Sequence, residues 1–156
     1  MIRTITAIAG LCLATAAAAQ EVAPADVSFD DAGAIAVSLS GQPGDGTAGQ
    51  EVMTTRSMGN CVACHQVSAL DAAFQGNVGP SLDGVADRWD ETQLRGIVAN
   101  AKMMFPDTMM PAFYKVSGYT RPGDAFTGKA GTEPLPPLLS AQQIEDVVAY
   151  LTTLKE

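Results

Sequence analysis

The sequence predicts an all-α domain folded around a central bound group. Two observations carry this. Three segments have helical spacing of apolar residues behind an N-terminal capping pattern, while no convincing strand pattern competes with them. The composition is 47% hydrophobic yet only 6% aromatic, so the core has apolar mass but few large rings, and a bulky apolar cofactor would supply what is missing. At 156 residues the chain fits one domain with modest extensions.

In order, the chain first reads as an export leader. Arg3 precedes an apolar run from Ile5 to Ala17, which is too short to span a bilayer. Small residues follow in "TAAAAQE", with Ala17 and Ala19 suitably placed for cleavage. Residues 1–19 are therefore expected to be a signal peptide. An uncleaved anchor is disfavoured by the length of the run, and a lipoprotein start at Cys12 by the bulk of Leu11. Cleavage removes Cys12 and leaves Cys61 and Cys64. It also removes Arg3, taking the formal charge from −8 to −9. That acidity argues against nucleic acid as a partner. It permits docking to a basic protein, although a solvated acidic surface has the same composition.

Residues 20–46 form an N-terminal extension, expected as an extended arm ending in a Gly/Pro turn. Its alternation at Ala34, Val37 and Leu39 is weak. The main domain is expected over residues 47–156. Thr47 and Gln50 have capping-box spacing, and Gly49, Val52 and Met53 form an inward stripe of a helix reaching about Arg56. "AFQGNVGPSLDGVADRW" reads as ordered loop. A second helix is expected from about Glu91 to Lys102, capped by Asp90 with Gln93, and with Leu94, Ile97, Val98 and Ala101 on one face. Pro106 stops it. The last helix is capped by Ser140 with Gln143, and its buried stripe is Ile144, Val147, Val148, Leu151 and Leu154. Between Ser117 and Leu139, Gly and Pro forbid long elements, and a loop this long is usually functional or disordered.

The chemistry sits in "SMGNCVACHQVSAL", where Cys61, Cys64 and His65 form a CxxCH motif around the chain's single histidine. A structural zinc site needs about four ligands, and no second Cys or His cluster exists. A thioredoxin-like pair needs a βαβ setting, and the surroundings are helical. A plain disulfide leaves His65 without a role. Covalent haem attachment explains all three: the thiols add to the haem vinyl groups as thioethers, and the imidazole ligates the iron.

A sixth iron ligand cannot be a second histidine of this chain, so methionine is the natural donor. Met103 and Met104 sit at a helix end and suit core packing. In "PDTMMPAF", Pro106 and Pro111 stiffen a loop that can hold a thioether still. Met110, extended before Pro111, ranks first, with Met109 in reserve. The Gly79-Pro80 turn offers a carbonyl to the His65 Nδ1 proton, or is an ordinary turn. Trp89 either lines the haem pocket or is a core aromatic, and Arg88 either reaches a propionate or is a solvated charge.

The order helix, CxxCH, Gly-Pro loop, helix, Met-Pro loop, C-terminal helix resembles class I cytochrome c over about residues 45–156. Gly49 and Tyr150 occupy the places where that family crosses its first and last helices, while Val52 and Met53 stand where an aromatic is frequent. The arm, "FPDTMMPAFY", the long loop and "LLSAQQIEDVVAYLTTLKE" together resemble SoxX, the small monohaem subunit family of SoxAX complexes. The resemblance implies one covalently bound haem c per chain and a periplasmic location without stable membrane insertion. It implies a SoxA-type partner, and indirectly a SoxYZ-type carrier, in an L-cysteine S-thiosulfotransferase that oxidises thiosulfate. This subunit would relay electrons to a soluble acceptor such as a small cytochrome c, with no catalytic residue of its own. A free-standing periplasmic shuttle is the alternative. A third reading, a haem enzyme or ligand sensor, would leave the iron's sixth position open. The arm and the 117–139 loop are the expected subunit contacts.

Overall fold

The structure is a computed structural model that describes residues 20–124 and 127–156, and the expected leader, with Cys12, lies outside these residues. Among them the regular elements are all helical: α1 (Gly46–Thr54), α2 (Val85–Arg88), α3 (Glu91–Asn100) and α4 (Ala141–Leu151), with short 3-10 turns at Pro24–Asp26, Cys61–Ala63 and Ala101–Met103. Among the described residues no helix is long and apolar enough to cross a membrane.

The frame is the crossing of α1 and α4. A Cβ on Gly49 would lie 2.1 Å from the Asp146 carbonyl oxygen and 3.1 Å from Tyr150 Cβ, so only glycine allows the helices this close. Val52 and Met53 point into the same core as Ile144, Val147, Val148 and Leu151. α1 starts one residue before Thr47. Its cap is Asp45, whose carboxylate accepts from Thr47 N at 2.8 Å and Ala48 N at 3.3 Å. The expected Thr47/Gln50 box is displaced because a carboxylate two residues upstream reaches the free amides first. The helix also ends at Thr54 rather than Arg56, where Thr55 turns extended.

The other two caps form as expected, with reciprocal boxes at Asp90/Gln93 and Ser140/Gln143. α3 tightens to a 3-10 turn after Asn100, whose side chain accepts from Lys102 N. The change of pitch carries Met103 off the buried stripe, so it is 49% exposed rather than part of the core. Ile97 is only half-buried. The stretch read as loop before Trp89 contains the single turn α2, entered through Gly84 at φ +63°.

The arm is not a separate appendage. Ile35 and Leu39 are fully buried, whereas Val37 is 59% exposed, so the alternation read at 34, 37 and 39 is not the one that packs. The Ile35 amide donates to Thr92 O at 3.0 Å and the Leu39 amide to Glu145 Oε1 at 2.8 Å. Arg95, itself buried, donates to Glu145 Oε1 at 2.9 Å and to Ile35 O at 3.0 Å, and also pairs with Glu91. The arm thus packs on α3 and α4 of its own chain. The 117–139 loop, among its described residues, carries one isolated bridge, Gly123 to Ala130, and Glu133 accepts from the amides of Gly118 and Tyr119.

Candidate functional site

The helices leave a cavity of about 600 Å³ between the CxxCH segment and the Met-Pro loop. Its walls are apolar: Met53 from α1, Leu94 and Val98 from α3, and Val147 and Leu151 from α4. Every residue expected at the site borders this space: Cys61, Cys64, His65, Pro80, Arg88, Trp89, Met109 and Met110.

The CxxCH segment is shaped by its backbone. Asn60 turns left-handed at φ 47°, a conformation asparagine tolerates. A 3-10 turn follows, closed by Cys64 N and His65 N donating to Cys61 O at 3.1 and 2.9 Å. Both thiols are free. Burial pushes the Cys61 thiol up to about 11, with Cys64 adding a smaller push and the backbone hydrogen bond opposing. Before attachment, Cys61 is therefore a protonated thiol at neutral pH.

His65 is fixed from two sides. Its Nδ1 lies 2.7 Å from Pro80 O, so Nδ1 carries the proton and Nε2 keeps its lone pair for a metal. Gly79 lies against the ring, and a Cβ there would sit 2.3 Å from His65 Cε1. The glycine and the proline carbonyl together form a cradle that one methyl group would fill.

On the far side of the chain's Met-Pro loop, Met110 is half-buried and packs against the hydrophobic core, whereas Met109 is 78% exposed. Thr108 Oγ1 accepts from the Met110 amide at 3.2 Å, and Lys102 Nζ donates to the Met110 carbonyl at 2.7 Å. Trp89 meets both readings made of it: it borders the cavity and packs edge-on against Phe105, with centroids 5.8 Å apart. Arg88 spends two donors on Asp83 O and Ser81 O, at 2.9 and 3.0 Å, which pins the loop after Pro80. Sequence reasoning missed Asn60, Val78, Phe105 and Phe113 as lining residues, and Lys102 as a partner of Met110. Only loop geometry brings them there, and no periodicity signals it.

The donor set fits haem c: two thiols within one turn, an imidazole with its Nδ1 proton bonded away, a thioether bordering the same cavity, and apolar walls around them. Zinc would find a single histidine and two thiols, and the cavity far exceeds the size of an ion.

Comparison with known proteins agrees. The cytochrome c family model matches residues 46–155. A chain of the crystal structure of SoxXA from P. pantotrophus is 62% identical, with a TM-score of 0.85, over 88% of this chain and all of that one. No curated protein sequence matches. A haem-sized apolar cavity behind a CxxCH turn is what such a family requires, and the chain belongs to the cytochrome c family as a SoxX-type, haem c-carrying member.

Proposed function

We propose that this chain is the electron-relay subunit of a SoxAX-type L-cysteine S-thiosulfotransferase, acting in the periplasm after loss of residues 1–19. The observation that carries the reading is the 62% identity to a chain of SoxXA, over the whole of that chain and 88% of this one. Its partners are then a SoxA-type cytochrome, indirectly a SoxYZ-type carrier, and a soluble acceptor such as a small cytochrome c. The arm and the 117–139 loop are the candidate subunit contacts.

When bound, haem c supplies a one-electron iron couple. Cys61 and Cys64 would hold it through thioethers, and His65 and Met110 would ligate its iron. The Pro80 carbonyl keeps the imidazole oriented and strengthens it as a donor. The apolar walls exclude water, and a soft sulfur ligand with a neutral nitrogen favours a raised potential, suited to accepting electrons from sulfur chemistry. In this reading the chain relays electrons, and the sulfur chemistry belongs to its partner.

One observation favours the second reading, a free-standing shuttle: the arm is satisfied within its own chain. Co-purification with a larger haem protein distinguishes the two, and a monomer at every stage counts against the complex. For the ligands, Met110→Ala should abolish the sulfur-to-iron charge-transfer band at the red edge of the oxidised spectrum, while Met109→Ala should keep it. Retention of the band in Met110→Ala would falsify the assignment.

A further inference from the structure

The loop from Pro106 to Ala112 carries Met110 across the cavity mouth, and it is poor in hydrogen bonds. Pro106 and Pro111 have no amide to donate. Thr108 N donates to Phe105 O at the start of the loop, and Met110 N donates to Thr108 Oγ1 within it. The flanks are anchored, by Phe105 N to Ala101 O at 2.8 Å on one side, and by Leu139 N to Phe113 O and Tyr114 N to Ala99 O, both at 3.0 Å, on the other. Among the described residues, one hydrogen bond ties the stretch from Pro106 to Ala112 to the helical frame: Lys102 Nζ to Met110 O, at 2.7 Å. Lys102 stands on the 3-10 turn that continues α3, and that turn is itself held by the Asn100 side chain.

We propose that Lys102 is a positioning residue that holds the Met110 thioether in place by gripping the Met110 carbonyl from the end of α3. The inference rests on Met110 being the axial ligand. The Met110 amide and carbonyl belong to the two peptide planes that flank its Cα, and holding one by Thr108 and the other by Lys102 leaves the root of the side chain little freedom to swing. An ammonium donor makes a stronger bond than a neutral one, and its reach over a flexible stem lets it follow an exposed loop. Without it, the stretch from Pro106 to Pro111 is freer to lift away from the cavity, while Ala112 and Phe113 stay buried, and an outside ligand competes for the iron.

The test uses the oxidised holoprotein and imidazole as the competing ligand, followed by loss of the charge-transfer band. Lys102→Ala should bind imidazole roughly tenfold more tightly than wild type, the ratio expected for losing one charge-assisted bond. Lys102→Arg, which keeps a donor, should stay near wild type. Lys129→Ala, which removes a positive charge elsewhere, should have no effect. The denaturant midpoint of Lys102→Ala should change little, because the anchors at Phe105 and Tyr114 remain. The proposal is overturned if Lys102→Ala binds imidazole with wild-type affinity, or if Lys129→Ala raises the affinity as much. A band that survives Met110→Ala would instead sink the ligand assignment and leave the geometry of Lys102 standing alone.

Discussion

Gly79→Ala tests the proximal side of the site. The added Cβ would lie 2.3 Å from His65 Cε1, 2.6 Å from Nδ1 and 2.8 Å from Nε2. Carbon contacts settle at roughly 3.5–4.0 Å, so the ring or the loop must retreat by about an ångström. The ring cannot rotate freely, because Nδ1 is bonded to Pro80 O at 2.7 Å and the residue's amide to Cys61 O at 2.9 Å. The loop cannot retreat freely either, because Gly79 N donates to Cys64 O at 2.8 Å. Overpacking of this kind costs about 1–3 kcal/mol, and losing the imidazole hydrogen bond adds about 1, so the holoprotein should be destabilised by about 2–4 kcal/mol. The assay is denaturant unfolding of the holoprotein followed by the haem absorption, with the visible spectrum as a check on the axial pair. Gly123→Ala is the control: its Cβ would meet only Lys129 O, at 3.9 Å, and should change stability by less than about 0.5 kcal/mol. If Gly79→Ala unfolds with the wild-type midpoint and spectrum, His65 is not cradled as described.

Two further perturbations probe the frame. Glu145→Ala leaves the buried Arg95 with Glu91 as its one remaining carboxylate, beside the Ile35 carbonyl, and orphans the Leu39 amide, so it should cost about 3 kcal/mol, and hydrogen exchange at Leu39 should accelerate; a loss under about 1 kcal/mol would show that the network does not hold the arm. Asp90→Ala removes the cap of α3 and should cost about 1 kcal/mol at neutral pH. The Thr92 hydroxyl and then the Gln93 amide hold the Asp90 carboxyl below its usual range. Its contribution is therefore complete above the ordinary carboxylate pKa of about 4 and fades as the pH falls below it. The gap between wild type and Asp90→Ala should close on going from about pH 7 to about pH 3, and a gap that widens in acid would contradict the capping geometry.

What the sequence revealed depended on the range of the interaction. The boxes at Asp90 and Ser140 are written within four consecutive residues, and the CxxCH turn within five, so both were legible. The α4 stripe was legible because a single period describes it. At the start of α1 two local signals overlapped, and spacing alone could not show that the chain arrives extended at Asp45 and offers its carboxylate first. The arm was the least legible part. The bond from Leu39 to Glu145 spans 106 positions, and nothing near either residue announces the other. For the same reason nothing in the spacing marks Arg95, Glu145 and Asp146 as buried. They are buried because the arm and α1 cover them. Lys102 was equally invisible, since its role depends on a loop doubling back over eight residues.

The two axial sides of the cavity are built with unequal rigidity. His65 is held by a short covalent path through Cys64, by a backbone bond to Cys61, by the Pro80 carbonyl, and by contact with Gly79. Met110 hangs on a loop with two prolines and a single tie to the frame. A perturbation of the proximal side must therefore break packing and is read as global stability. One on the distal side breaks a single exposed bond and is read as ligand exchange with the fold intact. Gly79→Ala and Lys102→Ala should accordingly separate cleanly: the first lowers the unfolding midpoint, while the second raises imidazole affinity at a nearly unchanged midpoint. If both variants moved the same observable, the loop carrying Met110 would have to be as firmly integrated into the core as the CxxCH turn, and the hydrogen bonds between Pro106 and Ala112 are too few for that.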